Sequence, residues 1–220
     1  MDILKGCGDS FVVETNVHYP TNTNLLFDAV RKIIELTIQL CVVLKLPSSI
    51  YEDLGVKEIK KALRLIQKLR RSTSKDEEKK KQRDQVIIGA HVAYIDLAND
   101  RINKVKNILN LLCGENIARI NKINEIQKFI THAERQINLI DRRVIKGEII
   151  PHTDKVFSIF KKHTEWLNKG KAGVPVELGL KVCVVDDQYG FLLNYKVIQN
   201  QTDEKYAVDL IQETKKCFQI

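Results

Sequence analysis

Residues 95–144 read IDLANDRINKVKNILNLLCGENIARINKINEIQKFITHAERQINLIDRRV, and their spacing decides the fold class. Ile95, Ala98, Ile102, Val105, Leu109 and Leu112 recur in alternating steps of three and four. The break Cys113-Gly114-Glu115-Asn116 follows, and the same steps resume at Ile123, Ile126, Ile130, Ala133, Ile137, Ile140 and Val144. Apolar residues at that period line one face of an α-helix. Two such seams joined by a short Gly-containing turn predict an antiparallel helical hairpin. Outward from the hairpin the helical character continues. No proline falls between Pro47 and Pro151, and the spacing predicts further helices over about Asn24–Lys45 and Glu52–Arg71.

The flanks carry a different pattern. Residues 9–19, Asp-Ser-Phe-Val-Val-Glu-Thr-Asn-Val-His-Tyr, are rich in β-branched and aromatic side chains and end at Pro20. Leu180–Asp186 and Phe191–Ile198 read as two more strands, with Asp187-Gln-Tyr-Gly190 between them as a hairpin turn. A last helix is expected from about Asp203, capped by Thr202 or by Asp203 itself, to Phe218. The predicted class is α+β: a three-stranded partial sheet interrupted by a large helical insertion. The expected division is 1–22 for the first strand, 23–147 for the insertion, and 148–220 for a loop, two strands and a helix.

Composition narrows the function classes. The chain has 220 residues, 44% of them apolar, which suffices for a real core, and its best apolar run, Ile33–Leu46, is cut by Glu35, Thr37, Gln39 and Lys45. No membrane span and no secretory leader are expected, because Asp2, Lys5 and Asp9 interrupt the start. The five cysteines are scattered, without a CxxC or Cys/His cluster, so neither a disulfide framework nor a zinc site is predicted. His18, His132, His152 and His163 share no ligand spacing, and no GxxxxGK[ST], GxGxxG, HExxH or GxSxG motif occurs.

Charge is the stronger signal. The net charge is +8, and residues 57–83 hold twelve Lys or Arg against four acids, so this stretch accounts for the whole excess. Lys60, Lys61, Arg64, Lys68, Arg70 and Arg71 form its densest part, and Lys169 and Lys171 make a second, smaller basic segment in Lys-Gly-Lys-Ala-Gly173. Two readings stand. Such a stretch is a solvated helix face followed by a loose linker at Ser72–Lys81, or it is a surface that attracts a phosphate backbone without reading its sequence. Asp9 is the other notable residue, since a carboxylate inside a sheet is costly unless paired, hydrogen-bonded or bound to a metal.

Two blocks carry a resemblance. Gly8-Asp-Ser-Phe-Val-Val-Glu-Thr-Asn-Val-His-Tyr-Pro-Thr21 with Asn24-Leu-Leu-Phe-Asp28 is one. Val156-Phe-Ser-Ile-Phe160 with His163-Thr-Glu-Trp-Leu-Asn-Lys-Gly-Lys-Ala-Gly-Val-Pro-Val-Glu-Leu-Gly179 is the other. In this order, separated by a long helical insertion, they resemble a bacterial insertion-sequence transposase of the DDE type. The resemblance implies a ribonuclease-H-like catalytic domain in which two aspartates and a glutamate hold two Mg2+ ions for in-line phosphoryl transfer. By position in the motif Asp9 is similar to the first catalytic, metal-binding aspartate. The family's second aspartate and its glutamate fall beyond Ile220, and its N-terminal helical region falls before the first strand, so the expectation is a family member truncated at both ends. Asp186, Asp187, Asp203 and Asp209 do not match the motif positions. A chain with one of three carboxylates is expected to be inactive alone, to bind DNA, and to associate with an intact transposase or with itself. Its implied location is the bacterial cytoplasm, on the nucleoid. A non-enzymatic DNA-binding or helical interaction protein is the alternative.

Overall fold

A computed structural model describes residues 5–71, 76–112, 117–168, 175–198 and 203–218. The cation pair Lys169 and Lys171, Cys113 and the capping Thr202 lie outside the described residues. The chain is α+β and divides into a helical unit, 20–159, and a sheet unit made of the residues up to 19 and from 160 on. Residues 148–159, grouped by sequence with the following strands, therefore go with the helices. Arg142 holds Asp154 and Glu148 in ion pairs of 3.1 and 2.7 Å, and Ile150 and Ile159 are buried.

The helical unit is organised by α1, Asn22–Val43. Thr21 caps it, its Oγ1 accepting from the Asn24 N–H at 3.2 Å. Leu25, Leu26, Ala29, Val30, Ile33, Ile34, Leu36, Leu40 and Cys41 are all buried. That set covers more than one stripe, as expected of a helix with partners on several sides. α1 ends earlier than Lys45, because Lys45 adopts the left-handed conformation (φ 54°) while the Lys45 and Leu46 N–H groups bond back to the carbonyls of Val42 and Cys41.

α2 starts at Lys57 and runs to Arg71, later than the predicted Glu52. Residues 48–50 form a short 3-10 turn, Leu54 plugs the core at 4% exposure, and Gly55 separates the two. α3 spans Glu77–Leu111. The expected loose linker at 72–81 is thus corrected over its second half, where Asp76 caps the helix by accepting from the Glu78 and Lys79 N–H groups at 3.0 and 3.4 Å. α4 covers Ile117–Ile140 and continues into a π-helical turn, Asp141–Ile145.

α3 and α4 follow one another as predicted and are bridged by Lys106–Glu134 at 2.7 Å. Their seams do not chiefly meet each other, however. α4 packs mainly on α1, and α3 mainly on α2 and α1. A three-four seam specifies that a face is buried but not which neighbour buries it.

Among the described residues the sheet unit has four strands, all antiparallel, where three are expected. β1 (Gly6–Glu14), β2 (Glu165–Asn168), β3 (Val176–Asp187) and β4 (Leu192–Ile198) share the central β3. β1 lines one side of β3, with Asp9 opposite Val184. β2 and β4 divide the other side, β2 along 176–179 and β4 along 181–186. The short β2, Glu-Trp-Leu-Asn, offers too few residues for an alternation to register. β1 stops at Glu14, so residues 15–19 are not strand.

The turn at 187–190 forms as its chemistry predicts. Asp187 Oδ1 accepts from the Tyr189 and Phe191 N–H groups at 2.9 and 2.8 Å, and Gly190 takes φ 82°. α5, Asp203–Phe218, covers one sheet face, burying Leu210 with Cys183, Val185 and Ile198. The other face carries Asp9, Phe11, Val13, Tyr195 and Val197, all exposed. An RNase-H-like relationship is not established by this arrangement.

Candidate nucleic-acid interface

α2 turns its charges to one side. At 3.6 residues per turn Lys57, Lys60, Lys61, Arg64, Lys68 and Arg71 fall within an arc of about 100°, opposite the seam. That seam is Ile59, Leu63 and Ile66, all buried, which fixes the cationic stripe outward. All six cations are exposed. Over fifteen residues the helix carries one acid, Glu58, and Glu58 is engaged by Arg101, a buried guanidinium that also holds Asp100 at 2.7 Å.

No stripe residue makes an ion pair among the described residues. Elsewhere Lys32, Lys104, Lys106, Lys122, Arg142 and Lys146 sit within 4 Å of a carboxylate, whereas isolated cations such as Lys45, Lys128 and Lys155 have no such pair among the described residues; what sets α2 apart is six of them on one face. Six unneutralised charges over about 21 Å of helix correspond to one charge per roughly 3.5 Å, close to the phosphate rise along one DNA strand. Ordinary surface faces interleave acids and bases at helical spacings; this one does not.

Arg70, grouped by sequence with that stripe, leaves it. Its position continues the buried seam, and its guanidinium donates to His91 Nε2 at 3.1 Å. His91 is fully buried on α3, and its Nδ1 lies 2.7 Å from the Ile87 carbonyl. The carbonyl requires a proton on Nδ1, and the guanidinium, which can only donate, requires a lone pair on Nε2, so the two partners together select the neutral ring. Burial, with Arg70's charge adding to it, pushes the His91 pKa below the ordinary histidine range. Burial of its head, and then the charge of Arg143, likewise lower the pKa of Arg70. Arg143, from the π-helical turn after α4, is the residue that sequence reasoning passed over. The surrounding Asp141, Arg142, Lys146 and Glu148 make the segment look balanced, and nothing in the spacing tells that Arg142 and Lys146 take the acids while Arg143 takes none.

Asp9 stands in a setting unlike the one expected. Among the described strands β1 pairs with β3 alone, Asp9 is exposed, and its carboxylate accepts from the Ser10 N–H at 2.7 Å. The desolvation cost that draws attention to Asp9 in the sequence therefore does not arise, and its metal-binding role rests on the resemblance alone. Asp186 lies on the same sheet face, opposite Cys7. Among the described residues no three His, Cys, Asp or Glu side chains gather in a group able to hold a metal ion. Among the same residues no helix is long and apolar enough to cross a membrane. Compared with known proteins, the chain matches no family model, no curated protein and no solved structure.

Proposed function

We propose that this chain is a DNA-binding relative of the DDE transposases, gripping duplex DNA through its helical unit and carrying out no phosphoryl transfer by itself. The observation that carries the binding half is the outward stripe of α2, six exposed cations without a carboxylate partner among the described residues. Lys and Arg at such a density release condensed counterions from DNA, an effect that is blind to sequence and falls steeply with salt. The link to transposases rests on the two motif blocks and on Asp9 as the first motif aspartate. A single motif carboxylate leaves two dications without enough negative ligands, hence no strand transfer. In a bacterial cell such a chain would sit on the nucleoid, where it could meet an intact transposase.

The test is fluorescence anisotropy of a labelled duplex titrated at several salt concentrations. If all six stripe cations reach phosphates, log Kobs falls with log salt at a slope of about −5. Reversing Lys61, Arg64 and Lys68 to Glu together removes about three units of that slope. A triple variant that binds as the parent does would overturn the reading, and so would a salt-independent affinity. Strand-transfer turnover by the purified chain with Mg2+ would overturn the second half.

A further inference from the structure

β1 pairs with β3 alone among the described strands, so its other edge is open to them. The ladder fixes which groups that edge presents. The Thr15 N–H bonds to the Leu178 carbonyl at 2.9 Å, and residues along an antiparallel strand turn their backbone groups alternately toward and away from the neighbour. The backbone groups of Gly6, Gly8, Ser10, Val12 and Glu14 therefore point away from β3. The Ser10 N–H agrees, since it goes to the Asp9 carboxylate. β1 lacks the usual protections of an edge: Gly6–Glu14 holds no Lys or Pro, and its register with β3 runs unbroken over all 9 residues. Apolar side chains border the edge on both faces. Phe11 and Val13 are exposed on the open face. On the other face Ile211 of α5 lies over Gly8, with Val208 exposed one turn away.

We propose that β1 is a dimerisation edge, pairing antiparallel with β1 of a second copy of this chain about a two-fold axis through Ser10. The strand is complementary to itself in that register. Gly6 faces the partner's Glu14 and Gly8 the partner's Val12, so each outward N–H and carbonyl meets its opposite. The Ser10 N–H exchanges the Asp9 carboxylate for the carbonyl of the partner's Ser10. Asp9 falls opposite the partner's Phe11, and no two carboxylates oppose each other. The two Phe11 rings lie on a diagonal across the seam, where each shields the other from water. A shift of two residues one way sets Asp9 against the partner's Asp9, and the other way leaves Gly6 unpaired. The seam uses the sheet unit and does not depend on the DNA-binding reading of α2.

Sedimentation equilibrium of the full chain, from micromolar to millimolar concentration, tests the proposal. The parent should reach twice the mass of one chain. Gly8→Pro removes an outward N–H at a place where an edge strand tolerates the ring. Two donors leave the seam, and the dimer should weaken about a hundredfold. Phe11→Glu sets carboxylates opposite each other across the seam and should leave a monomer. Adding Asp9→Lys to that variant pairs the opposed charges and should restore the dimer. A parent that stays monomeric overturns the proposal, as does a dimer that either folded variant leaves intact. A Phe11→Glu monomer that Asp9→Lys does not rescue overturns the register and the proposal with it. If Gly8→Pro disturbs folding, seen in the fluorescence of Trp166, Phe11→Glu and its rescue still decide the matter, because Phe11 is exposed.

Discussion

The two units of this chain bury very different amounts of apolar surface. In the helical unit twenty-six described apolar side chains form one buried cluster, whereas beneath α5 the sheet unit buries four. At about 25 cal/mol per Å2 of apolar area removed from water, the larger cluster dominates the stability of the molecule. The sheet unit relies instead on strand pairing around β3 and on polar ties such as Asn194 Nδ2 to Thr214 Oγ1 at 3.2 Å. Proposed function divides the same way: the unpaired cations belong to the unit with the deep core, and the lone motif aspartate belongs to the shallow one. A rigid helical support can hold six like charges side by side because its core outweighs their repulsion.

The protein contains a single tryptophan, Trp166, on β2. Tyr19 packs on it edge to face, with ring centroids 5.5 Å apart. Its fluorescence reports the sheet unit, while circular dichroism at 222 nm reports mainly the helices. With rising denaturant the fluorescence transition should precede the dichroism transition; coincident transitions would show that the two units unfold as one.

The strongest break comes from Ile33→Ala, at a fully buried position of α1. It should cost about 3–4 kcal/mol and move the dichroism midpoint. Next is Gly179→Ala in β3. A Cβ there would stand 2.2 Å from the Val13 carbonyl oxygen and 2.8 Å from Val12 Cγ1, so β1 must move away. A loss of about 3 kcal/mol is expected, enough to shift the fluorescence of Trp166 while the helical signal stays. Equal loss of both signals would count against independent cores.

A pH series sharpens the comparison further. His91 is faced by Arg70 and by the Ile87 carbonyl. Its folded pKa lies below that of the unfolded chain, so its stabilising effect is complete above about pH 6.5 and is lost as the pH falls toward the folded value. The dichroism midpoint should drop on acidification from neutral pH, by up to about 1.4 kcal/mol per pH unit, and less in His91→Gln. Identical acid profiles for parent and variant would refute the assignment. The smallest effect expected is a gain. Gln136 on α4 is fully buried, and neither polar atom of its amide has a hydrogen-bond partner among the described residues. Gln136→Leu should therefore stabilise the helical unit by about 1–2 kcal/mol, measured as a later dichroism midpoint.

Much of the secondary structure was legible in the residues. The α5 limits and the Asp187–Gly190 turn follow from period and glycine, which act within a few residues, while the first helix, read as about Asn24–Lys45, runs instead over Asn22–Val43. β2 was not legible, since four residues carry too little alternation, and it exists because β3 supplies a pairing edge at 176–179. Nor could the seams of α3 and α4 name their partners, because a stripe of isoleucines fits any apolar surface of the right shape.

The cationic stripe was determined by the sequence itself, since the positions of Lys57, Lys60, Lys61, Arg64, Lys68 and Arg71 put them on one helix face whatever surrounds that helix. Which charges stayed unpaired was decided only in three dimensions. Pairing depends on side chains brought within about 4 Å from distant segments, as Arg101 takes Glu58 and Arg142 takes Asp154. The separation of Arg70 from its neighbour Arg71 has the same origin. One step along a helix turns a side chain by about 100°, and the packing of α3 decides which of these two exposed arginines meets the buried imidazole of His91.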